Sequence, residues 1–98
     1  MVSGQQYQPA RIIAVDVDGT LVRDGQLVNP LVDWLKKQRE KGFRLMLWSA
    51  RGKDHAENAI KTFELEGLFD DVVGKPGYVV DDQGWDWIRY THVVGIKF

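Results

Sequence analysis

The stretch Arg11–Val22, RIIAVDVDGTLV, constrains this chain more than any other. Ile12, Ile13, Ala14 and Val15 form an unbroken apolar run, the pattern of a strand buried on both faces rather than the alternation of a half-exposed one. The run ends abruptly in Asp16 and Asp18, then in Gly19 and Thr20. Two carboxylates this close at a half-buried strand end require a compensating cation. The stretch therefore reads as a strand that delivers charge to a site.

The rest of the chain alternates helix and strand signals. Asn29-Pro30 is a helix start, an N-cap acceptor followed by a residue with no N–H to lose, and a helix is expected over about 30–41. Leu31, Trp34 and Leu35 share its inward face, and Gly42 ends it. Phe43–Trp48 reads as a second strand with Ser49-Ala50-Arg51-Gly52 as its exit. A second helix is expected over about 53–66, with Ala56, Ala59, Ile60 and Phe63 inward and Gly67 at its end. Val72-Val73 is a short third strand and Gly74–Gly77 a turn. Tyr78–Val80 is a fourth strand ending in Asp81-Asp82, and His92–Phe98 a fifth. Such alternation implies right-handed crossovers and a parallel sheet.

At 98 residues, 44% hydrophobic and 28% charged, the chain supports one domain, over 11–98, preceded by a polar, flexible arm over 1–10. A net charge of -1 argues against a general nucleic-acid-coating surface while leaving room for a local basic groove. With no cysteine, disulfides and thiolate zinc sites are excluded. The opening residues lack the basic and apolar regions of a signal peptide, and no apolar run approaches the ~20 residues of a membrane span. The expectation is a soluble, cytoplasmic protein with no membrane partner.

Asp16 and Asp18, Ser49, and Asp81 and Asp82 each follow the end of an expected strand, where open α/β sheets bind ligands. Magnesium suits this set, since it takes one or two protein carboxylates and leaves its other positions to water and phosphate. Gly19 permits a sharp turn with amides presented to an anion, and Thr20 adds a hydroxyl. Each element alone has a plainer explanation: Asp-x-Asp-Gly and Asp81-Asp82-Gln83-Gly84 as turns, Ser49 as a cap, Arg51 as a surface charge. Their joint placement carries the argument.

Asp16-Val17-Asp18-Gly19-Thr20-Leu21, Ser49, Lys75 and Asp81-Asp82 resemble, in order, the four motifs of the haloacid dehalogenase-like phosphohydrolases, over about residues 11–83. The resemblance implies a Rossmann-like α/β fold with a mostly parallel five-stranded sheet in the order 3-2-1-4-5. It implies Asp16 as the nucleophile that forms an aspartyl-phosphate, and Asp18 as the acid and base. Ser49 and Lys75 are implied as phosphoryl ligands, with Gly19, Thr20, Ala50 and Arg51 beside the substrate. Magnesium would be held by Asp16, the carbonyl of Asp18, and Asp82 or Asp81. A carboxylate at position 18 favours ester hydrolysis over dehalogenation, which needs no such acid.

Two departures from the family pattern matter. Only Val22–Asn29 separates the first motif from the first helix, so no cap domain fits there and the site is expected to be open. Lys75 and Asp81 are six positions apart, so the usual helix between the last two motifs is missing. One sheet face would then be left bare except for Trp85, Trp87 and Ile88, which predicts self-association as a homo-oligomer.

The leading expectation is a magnesium-dependent phosphomonoesterase acting on a phosphorylated substrate. Asn29-Pro30 and Ser49-Ala50-Arg51 resemble the phosphatase domain of polynucleotide kinase-phosphatases, which points to a nucleic-acid 3′ end. Gly74-Lys75-Pro76 near Asp81-Asp82 instead resembles short phosphatases of surface-sugar biosynthesis, which leaves a sugar phosphate or nucleotide open. A receiver-like or non-catalytic phosphate-binding module is the alternative of another class.

Overall fold

The computed structural model describes residues 9–95. Strand β1 (Ile12–Asp16) leads into a tight turn and a small hairpin, β2 (Val22–Arg23) and β3 (Gln26–Leu27). Helix α1 (Asn29–Glu40), strand β4 (Arg44–Ser49), helix α2 (Lys53–Thr62) and strand β5 (Asp71–Gly74) follow, and a 3₁₀ helix spans Gly84–Tyr90. The strands β1, β4 and β5 form a parallel sheet in the order β1-β4-β5, with Asp16 opposite Trp48 and Ser49 opposite Gly74.

Burial along β4 shows how the layers stack. Leu45, Leu47 and Ser49 are buried while Met46 and Trp48 between them are half-exposed, so the sheet has one covered face. Leu45 and Leu47 share a single core with Val15 and Val17, with Leu31, Val32 and Leu35 of α1, and with Ala56 and Ala59 of α2. Each fully buried leucine contributes roughly 1.5–3 kcal/mol relative to exposure. At the far end, Arg39 of α1 donates to the carbonyls of Gly67 and Leu68 and pairs with Asp70 at 3.2 Å, which ties α1 to the loop that enters β5.

The helices differ from expectation at their ends. Asn29 lies inside α1 rather than capping it: Val28 is the N-cap, and its carbonyl accepts the amides of Leu31 and Val32. Helix α2 stops at Thr62, short of Gly67, because Glu64 adopts φ +55 and turns Leu65 and Leu68 into the core. The hairpin was not anticipated, although its signal is present. Asp24-Gly25 occupies both central turn positions with φ +52 and +74, as a type I′ turn requires. Between the acid pair and α1 the chain thus holds only this hairpin and no cap domain.

Among the described residues the parallel sheet has three strands rather than the expected five, and their adjacency is the 3-2-1 half of the expected order. Tyr78–Val80 is not a strand, and Val80 is fully exposed at 104%. The reason is geometric. Lys75 is fixed at the C-terminal end of the sheet by its backbone N–H, which donates to the Ser49 carbonyl at 2.8 Å. A further parallel strand beside β1 has to begin at the opposite end, some 16 Å away along the five residues of β1. The three residues Pro76–Tyr78 reach only about 10 Å even when extended.

Among the described residues β1 is therefore an edge strand rather than a central one, buried on one face only, with Ile12 52% exposed. The 3₁₀ helix does not cover the second face as expected, since Trp85 and Ile88 are exposed. Of the expected fifth strand His92–Phe98, residues 92–95 have no regular structure and residues 96–98 lie outside the described residues, as do residues 1–8 of the expected arm. Among the described residues, no helix is long and apolar enough to cross a membrane.

Candidate active site

Parallel strands present their C-terminal ends along one edge of the sheet. Asp16 ends β1, Ser49 ends β4, and Lys75 follows β5 directly, so all three reach that edge. The Lys75 ammonium lies 3.4 Å from Asp16 Oδ1, and the Thr20 hydroxyl donates to Asp16 Oδ2 at 3.4 Å. Lys75 also sits 5.4 Å from the Trp48 ring centroid, on the open face of the sheet. Its position is set by the register of β5 upstream, not by the short link to Asp81 downstream.

Ser49 is only 2% exposed. Its hydroxyl oxygen accepts the Arg51 amide at 3.0 Å, while its carbonyl accepts the amides of Gly52 and Lys75. Ser49 thereby joins the ends of β4 and β5 and shapes the exit loop. Ala50 lies exposed in that loop. The loop returns Arg51 toward the acid pair, with Nη1 3.7 Å from Asp18 Oδ2.

Asp18 turns away from Asp16, toward α2. Its Oδ2 lies 2.9 Å from Nε2 of His55, in the first turn of α2. Sequence reasoning passed over His55. The available signal was a histidine on the first turn of the helix that leaves Ser49-Ala50-Arg51-Gly52, since such a helix start faces the ligand crevice. A cleft of about 130 Å³ runs from Asp18 along α2, with His55, Asn58 and Thr62 as its polar lining.

Asp16 faces Lys75, and Asp18 faces Arg51 and the His55 imidazole, so each acid has a polar or cationic partner within the chain. Two expectations are corrected at this site. Gly19, at φ +82, makes the turn, but its amide is given to the Val22 carbonyl at 2.8 Å rather than presented to an anion. Asp81 and Asp82 do not join Asp16 and Asp18. Asp81 accepts the Gln83 amide at 2.8 Å and Asp82 the Gln83 side chain at 3.3 Å, so both serve their own turn. Among the described residues, no group of three or more His, Asp or Glu could hold a metal ion. The pair at residues 16 and 18 still offers the hard oxygen donors from which magnesium takes its small protein share.

A parallel sheet with acids, a buried serine and a lysine at its C-terminal edge has the layout of an open α/β ligand-binding crevice. Residues 13–94 match the family described as haloacid dehalogenase-like hydrolase, and the chain belongs to that family. Two viral proteins are similar to it. An uncharacterised 38.0 kDa protein of Autographa californica nuclear polyhedrosis virus is 31% identical over 85 residues, covering 83% of this chain and 26% of the relative. An uncharacterised 36.0 kDa protein of Orgyia pseudotsugata multicapsid polyhedrosis virus is 31% identical over 75 residues, covering 72% and 24%. The chain thus spans about a quarter of the length of these relatives. No solved structure matches it significantly.

Proposed function

We propose that the chain hydrolyses phosphate monoesters through an aspartyl-phosphate on Asp16. The observation that best supports this reading is the Lys75 ammonium 3.4 Å from Asp16 Oδ1, at the sheet edge where Ser49 also ends its strand. The Asp16 carboxylate attacks phosphorus, the P–O bond to the alcohol breaks, and Asp18 gives its proton to the departing oxygen. Asp18 then takes a proton from water as that water attacks the acyl-phosphate, which releases inorganic phosphate and restores Asp16. Lys75 and Ser49 neutralise and hydrogen-bond the transferred group, and Arg51, 68% exposed, meets the substrate. Magnesium is proposed as the cofactor, held by Asp16 and Asp18, where it supplies charge neutralisation at the phosphoryl group.

With no cap between the motifs, the proposed substrate is a phosphate on an extended molecule, a nucleic-acid 3′ end first, and sugar phosphates or nucleotides as the alternative. The test is phosphate release from 3′-phosphorylated oligonucleotides, nucleotides and sugar phosphates, with magnesium and with EDTA. Release that requires magnesium and vanishes in Asp16→Asn is expected. Release that survives Asp16→Asn would sink the mechanism.

A further inference from the structure

We infer that His55 is the positioning residue of Asp18, holding that carboxylate in the orientation from which it serves the leaving oxygen; the inference rests on the phosphomonoesterase reading above. Asp18 needs such a holder. It lies on the exposed side of the turn after β1, its side chain is 52% exposed, and a carboxylate so placed is free to rotate unless something binds it. Within the turn, the backbone amides of Gly19, Thr20 and Leu21 are spent on Val22, Val17 and Asp16, so none of the three restrains the Asp18 side chain.

The restraint comes from α2. His55 is held by the helix and only 24% exposed, and its Nε2 meets Asp18 Oδ2 at 2.9 Å. Arg51 approaches the same oxygen at 3.7 Å but is largely exposed and longer, so it fixes direction less well. Both groups gather on Oδ2, which leaves Oδ1 to exchange a proton with the leaving group. With Nε2–H as the donor, Oδ2 accepts in this contact, and the proton that Asp18 gives to the leaving oxygen sits on Oδ1. Misplacing a catalytic group by about 1 Å can lower the rate by ~100-fold, so a hydrogen bond that removes this freedom acts on turnover. His55 does so without touching substrate.

If His55 acts through the proton donor, its loss matters most when the departing oxygen needs a proton. His55→Ala is expected to lower kcat on an alkyl monophosphate by about 10–100-fold, with KM within about twofold, and by roughly tenfold less on p-nitrophenyl phosphate, whose leaving group departs unprotonated. His55→Gln, which keeps an N–H donor at similar reach, is expected to restore turnover to within about threefold. In an Asp18→Asn background the His55→Ala effect is expected to disappear. Thermal melting of each variant separates positioning from a packing role.

The outcomes are distinct. Equal losses on both esters, additive losses in the Asp18→Asn background, or a loss that follows the melting temperature and is not rescued by glutamine overturn the assignment of His55 while the function stands. A wild-type chain inert on both esters, or one indifferent to Asp16→Asn, overturns the function and this inference with it.

Discussion

Lys75 Nζ lies 3.4 Å from Oδ1 of Asp16, although the two residues are 59 positions apart in the chain. The contact exists because β1 and β5 end on the same side of a parallel sheet, with β4 between them. A cation beside the proposed nucleophile neutralises the charge of an incoming phosphoryl group. Lys75→Ala is therefore expected to lower kcat by about 10²–10³-fold, and Asp16→Asn to remove turnover below about one-thousandth. Steady-state kinetics with magnesium present checks both.

Gly19 holds φ +82, and an added Cβ there would meet nothing within 4 Å. The penalty of Gly19→Ala is thus conformational alone, roughly 1–2 kcal/mol. Urea unfolding is expected to show that loss, with Gly19→Asn milder than alanine because asparagine tolerates the left-handed region.

Leu21 is wholly buried beneath the same turn, and its amide donates to the Asp16 carbonyl. Leu21→Ala leaves a cavity directly under the acid pair, and a loss of about 2–5 kcal/mol is expected in chemical denaturation. Leu47→Ala, equally buried but in the middle of β4, is expected to fall in the same range.

Arg44 donates to Asp71 with Nε at 2.7 Å and Nη2 at 3.2 Å, joining β4 to β5. These hydrogen bonds hold the Asp71 carboxyl below its ordinary 3.8 and raise the Arg44 guanidinium. Because the folded value of Asp71 is depressed, its contribution is fully present above the ordinary value and is lost as pH falls through the folded one. An NMR titration is expected to show Asp71 returning to its ordinary value in Arg44→Met. Both side chains are exposed, so the stability change is small and shrinks with salt.

Much of this was legible in RIIAVDVDGTLV and its successors. Apolar runs, helix stripes and the order of Asp16, Asp18, Ser49 and Lys75 depend on local pattern, and local pattern is carried by sequence. The hairpin was equally readable in Asp24-Gly25. For His55 the sequence offered only its place on the first turn of α2, and its pairing with Asp18 came from the docking of that helix.

What the sequence alone determined was the order of its acids, hydroxyl and cation along the chain, and therefore which family motifs are present. Tertiary structure decided their partners. β5 register, rather than distance from Asp81, brought Lys75 to Asp16, and the docking of α2 gave Asp18 its imidazole. The same structure held Asp81 and Asp82 in their own turn and left β1 at an edge, because a chain fixed at one end of a sheet cannot cross it in three residues.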